Sequence, residues 1–281
     1  SFATIGQASA AAARVLVADN GRVAALVSSS GVQFVDSGLA ASEDSSNSDG
    51  QLLDSLEVTL ANPLVAMTSN HFALLRDGAT ELYPADDLAT ASGPETSLAP
   101  DAMTQTFPAL IVDEEHGLYA YFHDDVLEVR EQDEVLSSVA CTSPADAIQN
   151  GDLSLVQCDE GVRTLVLQED DSGNASVHTG TTLSGVSISG WQAGGDYLMV
   201  WNSSEVNLVY PHNDHSHTST PDIALDEGLS LCAAAINSDA SALLLVRDDA
   251  SVRVVDLTAT LATANITLTE AADTFSCDDI R

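Results

Sequence analysis

Tyr210 to Pro221 reads YPHNDHSHTSTP, and this short stretch gathers the most concentrated metal-binding chemistry in the 281-residue chain. His212, Asp214, His215 and His217 set four donors within six residues. Neutral imidazoles with one carboxylate are borderline ligands suited to zinc, copper or nickel. A His-x-His pair in an extended loop can converge on one ion, or each ring can collect an ion loosely. Tight chelation by adjacent residues alone is geometrically poor. The plain alternative is an exposed histidine-rich loop with no specific ion.

The other histidines are His71, His116, His123 and His178. His71 stands where a strand begins, His116 in a polar corner, and His123 beside Asp124 and Asp125, which could hold the second nitrogen of a ligating ring. Taken singly, each reads as a surface or packing residue. Enzymatic signals are weak: the chain has no G-x-S-x-G elbow, H-E-x-x-H, G-x-G-x-x-G or P-loop. Asp113 with Glu114 and Glu115, or Asp170 with Asp171, could serve a hydrolase or lyase as acid and base. With 43 acidic residues such pairs arise by chance, so the chain is read as a non-enzyme. Calcium or another divalent cation in the Asp- and Asn-rich corners is a further expectation, although no standard calcium loop is present.

These residues must be positioned by strands. ALIVDEEHGLYAYFHDDVLEVR, Ala109 to Arg130, is three short apolar runs separated by polar corners, the pattern of an antiparallel meander. The unit recurs. RVLVAD, GRVAALVS and GVQFVDSG form the first copy, with Leu56 to Leu60 as its outer strand; NPLVAM, HFALLRDG and ATELYPAD form the second. DLSLVQCDEG, VRTLVLQEDD and ASVHTG form the fourth; VSISG, DYLMVW and VNLVYP the fifth; LCAAAIN, ALLLVRDD and SVRVVDLT the sixth. Third strands are placed near Val32, Thr80, Val126, Ala175, Val206 and Val252, which are 48, 46, 49, 31 and 46 residues apart. Apart from one short step, this is the spacing of four-stranded propeller blades. The fold expected is an all-β single domain over residues 1–281, a β-propeller of six blades. Seven is the alternative, if Phe2 to Ile5 completes a blade or one is hidden in Asp87 to Gln105. Ala8 to Ala13 reads as a helical turn or loop, and Ala40 to Gly50 as a surface loop. An irregular pair of β-sandwiches is the competing architecture.

Composition narrows the function. Eight arginines and no lysine against the 43 acids give a net charge of −35. Such a surface repels nucleic acid and anionic membranes and attracts cations; a solvated acidic shell suited to salty water explains most of it. Cys141, Cys158, Cys232 and Cys277 match no zinc knuckle and fit two disulfides in an oxidising compartment. Three pairings are possible, with Cys141–Cys158 and Cys232–Cys277 favoured because each would join neighbouring strands or close the last repeat. The chain begins at Ser1, with no leader-like charged segment and no apolar run long enough to span a bilayer. The expectation is a processed, periplasmic or secreted monomer without membrane insertion. Asn174, Asn202 and Asn265 open glycosylation triplets of the kind chance supplies in a Ser- and Thr-rich chain.

HGLYAYFHDDVLEV, from His116 to Val129, and the segment Cys141 to Gly161, which runs into LVQCDEGVRTLV, resemble the AztD family, periplasmic zinc metallochaperones encoded with bacterial zinc ABC importers. In the first, an aromatic-rich strand leads into an aspartate-containing turn; in the second, two cysteines flank a loop before a hydrophobic strand. The chain departs from the family pattern at Gln157, where a glycine precedes the cysteine, and at Glu160, between Asp159 and Gly161; it is also shorter than expected. The likeness runs diffusely from about Arg14 to Thr258. It implies zinc binding in an oxidising periplasm, delivery by direct contact to the substrate-binding protein of a metal ABC importer, an inherited Cys141–Cys158 disulfide, and His71, His116 and His123 as ring-side metal ligands. The alternative is a propeller scaffold that binds a protein or ligand without a specific metal.

Overall fold

A computed structural model describes residues 14–18, 22–37, 51–53, 56–88, 90–100, 103–170, 173–184, 188–212, 215–219, 230–237, 239–249, 251–258, 263–267 and 277. Among them every extended element is a strand, in six antiparallel sheets. The first sheet holds β1 (Arg14–Val17), β2 (Val23–Ser28), β3 (Gly31–Asp36) and an outer strand in two pieces on β3, β4 (Gln51–Leu52) and β5 (Val58–Thr59). The second holds β6 (Val65–Thr68), β7 (His71–Arg76), β8 (Ala79–Pro84) and β9 (Thr96–Leu98), and the third β10 (Phe107–Asp113), β11 (Leu118–His123), β12 (Val126–Glu131) and β13 (Glu134–Ala140). The fourth is β14 (Asp146–Asn150), β15 (Leu153–Cys158), β16 (Gly161–Glu169) and β17 (Ala175–Ser184). The fifth is β18 (Gly190–Gly194), β19 (Tyr197–Trp201), β20 (Val206–His212) and β21 (His215–Ser219), and the sixth β22 (Leu231–Ile236), β23 (Ala242–Arg247), β24 (Ser251–Asp256) and β25 (Thr263–Thr267). Each sheet is one run of consecutive strands, the blade pattern of a six-bladed β-propeller.

Inner strands of the blades are buried in near-continuous runs, as in β10 and β16. In β11 Leu118, Ala120 and Phe122 are buried, and Leu127 and Val129 of β12 are buried beside them. Phe107 of β10 meets Phe122 edge-on at 5.2 Å, one aromatic contact in a mostly aliphatic core. The β11–β12 hairpin closes through Asp124 and Asp125, both at positive φ (46° and 62°), the geometry of the tight turn whose twist matches the strands. Gly31 is required by a close approach: a Cβ there would lie 2.2 Å from the Val58 carbonyl oxygen of β5.

The chain divides into two compact units, Ser1–Ala147 and Ile148–Arg281. Within the first, neighbouring blades are joined by buried polar groups. Thr68 Oγ1 accepts from Ile111 N at 2.7 Å, and Thr80 Oγ1 accepts from Ala109 N at 2.8 Å. Thr80 also donates to Gln105, whose amide donates to Leu98 O at 2.7 Å. Arg14 of β1 pairs with Asp146 and donates to Val65 O of β6 at 3.3 Å. In the second unit Asn150 donates to Gly195 O at 2.8 Å, and Ile236 N donates to Gln192 at 3.0 Å.

Among the described residues the blades number six, as expected, and not the paired sandwiches of the competing architecture. Asp87 to Gln105 supplies only β9, the missing fourth strand of the second blade, whereas Phe2 to Ile5, Ala8 to Ala13 and Ala40 to Gly50 lie outside the described residues, apart from Gly50's neighbour β4. The fourth blade begins earlier than expected, at Asp146. Ala175 therefore opens its fourth strand, and its third begins at Gly161. Cys232 is bonded to Cys277, Cys141 and Cys158 are also disulfide-bonded, and no cysteine is free, so the favoured pairing is the one formed. No helix among the described residues is long and apolar enough to cross a membrane.

Candidate functional site

The corner between β10 and β11 is built around Asp113. Its Oδ1 accepts from the backbone N–H groups of Glu115 (3.0 Å) and His116 (3.3 Å), while Oδ2 lies 2.6 Å from His116 Nδ1. Gly117, at φ +67°, completes the turn. One carboxylate thus shapes the corner and fixes the orientation of the ring, which is how a supporting carboxylate prepares a histidine.

His71 opens β7 directly across from Thr68. Its side chain is buried, with Nε2 3.5 Å from Glu95 Oε2 and no hydrogen-bond partner for the buried Nδ1. Glu95 arrives from the connection before β9 and is held by its own N–H on Leu82 O at 2.9 Å. The two corners belong to neighbouring blades and are pinned together by the Thr68–Ile111 hydrogen bonds, one turn from His71 and two residues from Asp113.

His123 is a different site. It ends β11, whereas His116 precedes that strand, so roughly 20 Å of extended chain separates them at about 3.3 Å per residue. His116 and His123, both expected as ring-side ligands, thus lie at opposite ends of one strand. His123 Nδ1 is 3.3 Å from Asp124 Oδ2, and its buried Nε2 is 3.2 Å from Glu128 Oε2. The same Glu128 oxygen accepts from Arg130 Nη2 (2.7 Å) and Nε (3.0 Å). Burial pushes the Glu128 carboxyl up, but Arg130 and His123 outweigh it and hold it below the usual range. On the same face, burial and then Tyr119 raise the Tyr121 phenol.

The segment expected to be a histidine-rich loop is a hairpin. β20 runs on through His212 and β21 starts at His215, leaving only Asn213 and Asp214 between them, and both lie outside the described residues. The register sets His212 opposite His215 and Tyr210 opposite His217. Pro211 is tolerated because it lies beyond Val209, where pairing with β19 ends. His178 is in β17, opposite Val166, apart from the other donors named here in the sequence pattern. No histidine of the described residues sits on the first strand of a blade.

Among the described residues no group of three or more His, Cys, Asp or Glu side chains is arranged to hold one metal ion. The arrangement that exists is pairwise: His71 with Glu95, His116 with Asp113, and His123 with Asp124 and Glu128. Glu95 and Glu128 are the partners sequence reasoning missed. Glu128 could have been found, because a two-residue turn puts positions 121 and 128 opposite each other and His123 next along the same face. No local signal marks Glu95. Of the acid–base candidates, Asp113 caps its corner and Asp170 accepts from Asn174 N and Nδ2, each at 2.9 Å, while Asp171 lies outside the described residues.

No family model matches the sequence, and no curated protein matches it. Solved structures do. AztD from Citrobacter koseri superposes with a TM-score of 0.64 at 14% identity, over 92% of this chain and 74% of that one. The apo form of AztD from the same organism also gives 0.64 at 14% identity, over 91% and 73%. The C-terminal WD40 domain of Sif2 gives 0.53 at 13% identity, over 93% and 72%. At these identities the likeness establishes the propeller fold and nothing finer.

Proposed function

We propose that this chain is a periplasmic, disulfide-bonded propeller that carries zinc in exchangeable histidine–carboxylate sets and hands it to the substrate-binding protein of a metal ABC importer. The observation that carries this reading is the pair of adjoining corners, where His71 and His116 each stand beside a carboxylate, Glu95 and Asp113. The acidic surface concentrates divalent cations around them. A carrier needs release as well as capture, and sets short of a closed four-ligand shell favour exchange. The hairpin whose register sets His212 opposite His215 and Tyr210 opposite His217 supplies the second candidate set of donors, on the fifth blade.

Zinc titration of the metal-free protein, followed by transfer to the purified substrate-binding protein, tests this. About one retained zinc per chain is expected, with retention lost in His71→Ala/His116→Ala. Replacing His212, His215 and His217 together is expected to slow transfer more than it lowers the melting temperature. Weak, salt-sensitive binding unchanged by either set of substitutions would overturn the proposal. It would favour the second reading, a scaffold that recognises a protein or ligand without metal, which is supported by the lack of a three-donor group among the described residues.

A further inference from the structure

Among the described residues the sixth blade is β22 to β25, and its outermost strand, β25, pairs with β24. A short strand with one neighbour is the part of a sheet that opens most readily. Beyond β25 the chain is tied down: Cys277 is bonded to Cys232, 45 residues back. Cys232 lies in β22, at the opposite edge of the same sheet.

The local geometry of β22 is adapted to this tie. Leu231 pairs with Arg247 and Ala233 with Val246, so Cys232 is the extra residue of a β-bulge and has no partner in the ladder. A bulge re-aims the side chain it carries. Leu231 and Ala234 stay buried in the blade's core with Leu243 and Leu245, so the bulge re-aims Cys232, itself buried, without unseating the strand. β22 is also the strand through which this blade meets the fifth. Ile236 N donates to Gln192, and a Cβ at Gly194 would lie 2.6 Å from Asn237 O.

We propose that Cys232–Cys277 is a redox clasp that keeps the outer strands of the last blade seated by fastening the chain beyond β25 to the anchored strand β22. A dithiol reductant opens it by exchange: the S–S bond breaks, Cys232 and Cys277 each become a thiol, and the dithiol leaves as its own disulfide. The anchored strand keeps its core and its seam with the fifth blade, while β25 loses its tether. Reduction therefore loosens one edge of one blade rather than the whole molecule.

Native-state hydrogen exchange tests this on the oxidised protein, on protein treated with dithiothreitol, and on Cys277→Ser, which leaves Cys141 and Cys158 intact. The expected result is that amides of β24 and β25 exchange about tenfold faster or more in both altered forms, while those of β2, β3 and β22 keep their protection. Unchanged protection in β24 and β25 would overturn the clasp. Equal loss in all six sheets would overturn it too, since the disulfide would then be a global staple.

Discussion

Asp239, Asp249 and Asp256 do the same local work: each accepts from the hydroxyl of the Ser or Thr two residues on, and from its backbone N–H. The hydrogen bonds from Ser251, first from its hydroxyl and then from its N–H, hold the Asp249 carboxyl below the ordinary aspartate range. Ser241 does the same to Asp239. A carboxyl depressed in the folded state contributes stability that is fully present above its unfolded value, about 3.9, and is lost as the pH falls through the lower folded value. Asp249→Asn is therefore expected to lower the urea midpoint near neutral pH and to flatten its decline between about pH 4 and pH 2. An unaltered acid limb would mean that Asp249 is not coupled to folding. Glu128 follows the same sign, with Arg130 and His123 in place of the hydroxyl.

At the scale of elements, the fifth blade depends on a residue with no side chain. Gly190 begins β18 opposite Trp201, and a Cβ at that position would lie 2.3 Å from two atoms of the indole ring. Gly190→Ala is expected to destabilise the protein by about 1–3 kcal/mol through overpacking and to shift the tryptophan emission. An unchanged melting temperature would show that the ring moves aside freely. The third blade could be read from sequence because Leu118, Ala120 and Phe122 alternate with polar neighbours and Asp124-Asp125 interrupts them. β14 could not be, because DAIQN buries only Ala147 fully and carries no alternating apolar stripe. β9 escaped for the same reason, its three residues being exposed or half-buried. The histidine pairs divide likewise: Asp124 and Asp113 are near their histidines in sequence, whereas Glu95 reaches His71 only through the pairing of β7, β8 and β9. The histidine-rich hairpin resembles a loop by composition, and its strand character comes from the register that β20 imposes on β21.

At the scale of the molecule, charge outweighs any single contact. Of the eight arginines, Arg14, Arg22, Arg76, Arg130 and Arg163 are each paired with a carboxylate, and with all eight counted the chain still carries a net −35. Self-repulsion of that size opposes the folded state and is relieved when the Debye length shortens from about 30 Å at 0.01 M salt to about 3 Å at 1 M. Calorimetry across that range is expected to show the melting temperature rising steeply with sodium chloride. A salt-independent melting temperature would show that the acidic side chains are too widely spaced to interact. The grouping of consecutive strands into each sheet has a consequence for how the protein is made. A blade needs no strand from a distant part of the sequence, so a chain emerging N-terminus first from a ribosome or an export channel can finish each sheet before the next is delivered. The sixth blade's disulfide is different: Cys232 must wait for Cys277, 45 residues later, so its oxidation follows the delivery of β22 to β25.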